Sequence, residues 1–147
     1  MSLHFSVDEL CYSETAIRLC ILNIPDPVVL ANMSILAAGM EQVRELLGKP
    51  IYISSGYRSP ELNKAINGAK SSDHLLGYAA DFTCPAFGAP LDIVRAIAAS
   101  DINFGQLIQE GRWVHISFKL TRLREVLTAH FGATGTTYTL GASNGLA

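Results

Sequence analysis

Two histidines and an aspartate carry the clearest chemistry in this 147-residue chain. His74 and Asp81 stand seven positions apart in Ser71-Ser72-Asp73-His74-Leu75-Leu76-Gly77-Tyr78-Ala79-Ala80-Asp81, and His115 lies downstream in the β-prone run Trp113-Val114-His115-Ile116-Ser117. Two imidazoles and one carboxylate suit a single Zn²⁺, and three protein ligands leave a fourth position for water, as in catalytic rather than structural sites. Zinc so held lowers the pKa of water toward neutrality and polarises a substrate carbonyl. Such chemistry needs a proton carrier within reach, and Glu110, at the end of the strand-like run before His115, is the best placed acid. Arg58 follows a short strand close to Gly56, and its planar fork suits a substrate carboxylate or a developing oxyanion. His4 and His130 have no such company and read as ordinary side chains.

Strand alternation tests the ligand set, because residues two apart share a face. In 79–83, Asp81 shares a face with Ala79 and Thr83, while Ala80 and Phe82 point the other way. In 113–118, His115 goes with Trp113 and Ser117, opposite the apolar set Val114, Ile116 and Phe118. Both ligands therefore face away from the core side of their strands. Cys84, three residues after Asp81, is a conceivable fourth ligand, but a continuing strand puts it on the opposite face.

The elements around these strands have recognisable starts and stops. Ser6 with Glu9 forms a capping-box pattern, and Ser13 can cap a second short helix, ended by Asn23-Ile24-Pro25-Asp26-Pro27. Asp26 as N-cap and Pro27 at the first turn open the longest helix. Its stripe is Val29, Met33, Leu36, Met40, Val43 and Leu47, and Gly48 with Pro50 stops it. Ile51–Ser55 reads as a strand, Ser59-Pro60 as the start of a helix ending at Asn67-Gly68, and 69–73 as the loop delivering His74. Leu91, Val94, Ile97 and Ala98 have helical spacing. Gln106–Glu110 and Trp113–Phe118 are strand-like around Gly111-Arg112, which predicts an antiparallel hairpin. Leu123, Val126 and Leu127 predict a last helical segment before a Gly/Thr/Ser-rich end expected to fray. The expected fold is α+β, with N-terminal helices packed on a small, mainly antiparallel sheet whose other face carries the metal.

With 49% hydrophobic and 16% charged residues, the chain has the material for one domain spanning 1–147. A formal charge of −2 with scattered Lys and Arg argues against a nucleic-acid partner. No secretory leader or membrane-spanning run is apparent, so a soluble chain made in the cytoplasm, and a monomer, is expected. Three cysteines without framework spacing predict reduced thiols.

Ser72 to Asp81 matches the S-x-H-x-x-G-x-A-x-D signature of the M15 zinc peptidases, the D-alanyl-D-alanine carboxypeptidase family that includes phage endolysins. Ser54-Ser55-Gly56-Tyr57-Arg58-Ser59-Pro60 resembles its S-G-Y-R-S-P segment, and Trp113-Val114-His115 its second histidine motif. The similarity runs from about Phe5 to Phe118 and looks closest to the small phage-borne branch. The resemblance implies a hedgehog/DD-peptidase-like fold, zinc ligands His74, Asp81 and His115, and Arg58 as binder of a carboxylate or oxyanion. It also implies a substrate-binding set of Arg58, Ser72, Tyr57 and Trp113. Many members carry the catalytic acid three residues before the second histidine. Here that position is Arg112, so Glu110 takes the role of base. The implied activity is hydrolysis of a peptide bond in the stem peptide of bacterial peptidoglycan, of D-Ala-D-Ala carboxypeptidase type. The alternatives are an L-alanyl-D-glutamate endopeptidase, which as an endolysin would reach the wall after release, or a non-catalytic, zinc-stabilised wall-binding or virion domain.

Overall fold

Helix starts in this chain are fixed by side chains that accept the first free amides, as a computed structural model describing residues 1–144 makes plain. Ser6 Oγ accepts from the Glu9 amide at the start of α1 (Val7–Cys11), and Ser13 Oγ from Ala16 at the start of α2 (Glu14–Arg18). Asp26 accepts from Val29 at 2.8 Å to open α3 (Pro27–Leu47). The Gly48 C-cap closes α3 in the left-handed conformation, at φ 64°. Ser59 caps α4 (Pro60–Ala65) in the same way. At α5 (Pro90–Ala98) the N-cap is Ala89, which has no acceptor. Asp92 instead reaches back to the Ala89 amide at 3.0 Å.

Six strands form one sheet: β1 (Tyr52–Ser55), β2 (Ala79–Thr83), β3 (Gln106–Gln109), β4 (Val114–Ser117), β5 (Glu125–Gly132) and β6 (Gly135–Leu140). Their order is β1-β2-β4-β3-β5-β6, antiparallel throughout except for the parallel β3–β5 pair. Fold class, the β3–β4 hairpin and the mainly antiparallel sheet therefore agree with the expectation. Ala80, Phe82, Leu107, Val114 and Ile116 put one face of the sheet into the core. Met33, Leu36, Met40 and Val43 of α3, with Ile93, Val94 and Ile97 of α5, pack in the same core. The stripe expected on α3 is fully buried from Met33 to Leu47.

One expectation fails. Leu123, Val126 and Leu127 do not form a helix, and the chain after them does not fray within the described residues; 125–140 is the β5–β6 hairpin. Three apolar residues at helical spacing fit a strand as well, and Val, Thr, Phe and Tyr in this stretch favour extended backbone. The deciding factor is non-local: β3 offers a free edge, and β5 pairs with it from Gln106↔Glu125 to Gln109↔Thr128. Arg124 locks the entry to β5 in a left-handed turn, at φ 55°. Its guanidinium lies 4.6 Å over the Phe104 ring and donates to the carbonyls of Ala98 (2.8 Å), Ser100 (3.1 Å) and Ile102. Residues 145–147 of the expected frayed end lie outside the described residues.

Candidate metal centre and its cleft

The strand pairings that build the sheet also assemble the ligands. Asp81 on β2 is the direct cross-strand partner of His115 on β4, and such partners project from the same face. His74 arrives from the loop before β2, over the turn ended by Gly77. Gly77 has φ 79°, and a Cβ there would lie 2.9 Å from Met33 Cγ and from Val29 on α3. Only glycine gives the turn both its left-handed backbone and its close approach to the helix. Gly56 has a comparable role on the other side: a Cβ would lie 2.2 Å from the Leu10 carbonyl oxygen.

His74 is 1% exposed, and its Nδ1 sits 2.7 Å from the Gly56 carbonyl. A carbonyl only accepts, so Nδ1 carries the proton and Nε2 presents its lone pair. That lone pair faces Asp81 Oδ1 at 3.1 Å and His115 Nδ1 at 3.2 Å, and His115 Nδ1 lies 2.9 Å from the same Asp81 oxygen. Two acceptors, His74 Nε2 and Asp81 Oδ1, thus face each other across a gap that a shared cation would bridge. Donors about 2.0–2.1 Å from a tetrahedral zinc lie about 3.3 Å from one another, so the observed triangle fits that ion. Burial presses the His74 imidazole below its ordinary pKa. Burial alone would push the Asp81 carboxyl up, but His74 and His115 outweigh it and hold it well below the usual carboxylate range. A neutral imidazole and an ionised carboxylate are the forms that bind metal. Among the described residues no other group of His, Cys, Asp or Glu side chains converges in this way. Cys84 is fully buried in the core, as the face argument predicts. His4 pairs with Glu41 at 2.8 Å and His130 with Thr139 at 2.7 Å, both away from this centre.

The triangle opens into a cleft of about 580 Å³. Arg58, Ser72, Glu110 and Trp113 line it together with His74, Asp81 and His115. Arg58 Nη2 donates to Ser72 Oγ at 3.3 Å, while its buried Nε has no partner among the described residues. Burial lowers the guanidinium's pKa and the nearby Asp81 carboxylate raises it. Burial also pushes the Glu110 carboxyl up, against His115 and with Asp81. Arg112 is exposed on the hairpin turn and does not line the cleft, so Glu110 is the acid that this hairpin presents. Tyr57, expected in the substrate-binding set, is instead 6% exposed in the core. It lines a separate small cavity beneath Arg58.

Asp73, Arg122, Thr136 and Tyr138 are among the cleft residues that were not anticipated. Asp73 is buried, and its Oδ2 accepts from Ser117 Oγ at 2.7 Å and from Arg122 Nη2 at 3.0 Å. It ties the loop bearing His74 to β4 two residues beyond His115. A charged residue inside the glycine-bounded turn, with Ser117 on the face of His115, was the available signal. Thr136 and Tyr138 reach the cleft from β6, and a tail read as frayed concealed them. Burial, then the carboxylates of Glu110 and Asp81, raise the Tyr138 phenol above its ordinary pKa.

A comparison with curated proteins found no match to this chain. The model of the family described as Peptidase M15 matches residues 3–117, a span that holds all three candidate ligands, Arg58 and Glu110 and ends at the last residue of β4. The match covers well over half of the sequence, and the chain belongs to the M15 peptidase family.

Proposed function

We propose that the protein is a zinc-dependent peptidase that cleaves a peptide bond in the stem peptide of bacterial peptidoglycan, of D-Ala-D-Ala carboxypeptidase type. The observation that carries this reading is the close triangle of His74 Nε2, Asp81 Oδ1 and His115 Nδ1, in one cleft with Glu110 and the half-buried Arg58. Those three atoms would hold the zinc, which when bound acidifies water and polarises a carbonyl. Glu110 takes a proton from the attacking water on its carboxylate and delivers it to the amide nitrogen as the C–N bond breaks. Water is thereby added across the bond, leaving a carboxylate and an amine. Burial, which raises the Glu110 pKa, makes its carboxylate a stronger proton acceptor for the first half of that transfer. Arg58, steadied by Ser72 and with Nε unpaired among the described residues, grips the terminal carboxylate or the oxyanion. Trp113 supplies an apolar wall beside His115.

A second reading, an endopeptidase cutting between L-alanine and D-glutamate, draws on Arg122. It gives the cleft a second cation, so one arginine could receive a side-chain carboxylate within a longer peptide. A synthetic stem pentapeptide separates the two. Release of free D-alanine, detected by mass spectrometry and abolished by a chelator, supports the carboxypeptidase. Cleavage behind L-alanine with the D-alanyl end intact supports the endopeptidase, and zinc-dependent cleavage of neither bond overturns both.

A further inference from the structure

The family match ends at Ser117, yet the cleft does not. Its far wall is the β5–β6 hairpin, which lies entirely beyond the matched span. Register shows how it gets there. His115 pairs with Ile108, Ile108 with Leu127, and Leu127 with Leu140. Partners across a sheet share a face and residues two apart along a strand do too, so Tyr138 and Thr136 emerge on the ligand-bearing face. Strands spaced about 4.8 Å apart would leave β6 about 14 Å from β4 in a flat sheet. The sheet curls enough that Thr136 and Tyr138 line the same cleft as His115, Asp81 and Glu110.

The hairpin is firmly mounted. Thr128 Oγ1 donates to the Gly141 carbonyl at 2.7 Å, and Gln109 Nε2 to the Ser143 carbonyl at 2.8 Å. The Phe131 ring lies 6.2 Å from that of Trp113. Tyr138 is 51% exposed, so its phenol is open to a ligand. Arg58 enters the cleft from the segment after β1, at one edge of the sheet, whereas Tyr138 enters from β6 at the other. The ligand triangle, on and beside β2 and β4, lies between.

We infer that the β5–β6 hairpin is a substrate-recognition wall, with the Tyr138 phenol and the Thr136 hydroxyl hydrogen-bonding the peptide chain on the side of the scissile bond opposite Arg58. This rests on the peptidase reading of the cleft and adds specificity-determining residues to it. The substrate then lies across the strands, held at one end by an arginine and at the other by hydroxyls that suit amide carbonyls and N–H groups. Peptides truncated at the hairpin end should bind less well although the scissile bond is intact.

The test compares zinc-loaded wild type with Tyr138→Phe, Thr136→Val and Tyr138→Ala, using Thr137→Val on the opposite face of β6 as control. KM and kcat are measured on a stem peptide, and Kd by calorimetry on a non-hydrolysable version. Loss of one net hydrogen bond corresponds to about 3–10-fold. KM and Kd should therefore rise by about that factor in Tyr138→Phe and Thr136→Val, with kcat, zinc content and Tm little changed, and Thr137→Val should match wild type. Wild-type binding with unchanged constants in all three cleft-facing variants overturns the inference and leaves the peptidase reading intact. Failure of wild type to bind or cleave stem peptides overturns both.

Discussion

The proposed chemistry rests on three donor atoms that converge in the cleft, on His74, Asp81 and His115. The Gly56 carbonyl fixes the His74 tautomer, and burial lowers the pKa of that ring. Alanine at His74, Asp81 or His115 should each remove stoichiometric zinc and reduce hydrolysis to background, measured by elemental analysis and turnover on the same preparations. Glu110→Gln should keep zinc but lose about 10²–10⁴-fold in kcat, the usual contribution of a positioned acid–base group. The same substitution has a second readout in metal-free protein. Because burial raises the Glu110 pKa, the folded state binds that proton more tightly than the unfolded chain. Stability is then greater at low pH and is lost as pH rises through the raised folded value. Metal-free Glu110→Gln should melt above metal-free wild type at about pH 8, and the gap should close below about pH 4, where both states of wild type are protonated. The convergence of His74, Asp81 and His115 was legible because alternation and motif agree on them. Asp73 was not, since a buried carboxylate bound to Ser117 and Arg122 depends on residues 44 and 49 positions away. The burial of Tyr57 was illegible for a related reason: its neighbour Arg58 lines the cleft while its own ring packs in the core.

At the scale of elements, α3 and the turn packed on it support the candidate metal centre. The helix could be read in full from the sequence, because cap, stripe and stop are all local signals and agree. Its link to the site through Gly77 is a packing fact that only the assembled fold reveals. Gly77→Ala must place a Cβ at positive φ, at a cost of about 1–2 kcal/mol, and against Met33 and Val29. It should lower Tm and weaken zinc binding together, measured by thermal melts and metal competition, whereas a change at the exposed Gly48 cap should lower Tm alone. The β5–β6 hairpin was illegible for the converse reason. Its strands are specified by the free edge of β3 and by Arg124 over Phe104, and no window of sequence contains that information.

The molecule as a whole is a sheet with a core on one face and a cleft on the other. One face is buried under α3 and α5; the other carries the cleft lined by His74, Asp81, His115, Glu110, Arg58 and Tyr138. Because the candidate ligands come from the loop before β2 and from β2 and β4, zinc held by them would cross-link segments 41 residues apart (His74 to His115). A ligand that binds only the folded state stabilises it by about 2.7 kcal/mol at a hundredfold excess over Kd, so chelation should lower Tm and zinc should restore it. Among the described residues no helix is long and apolar enough to cross a membrane. The central claim is tested most directly by mass spectrometry of peptidoglycan fragments digested with the protein as purified, after chelation, and after zinc is restored. New amine and carboxylate ends in the stem peptide should appear with the first, vanish with the second and return with the third. A protein shown to carry stoichiometric zinc that leaves every stem peptide intact would contradict it.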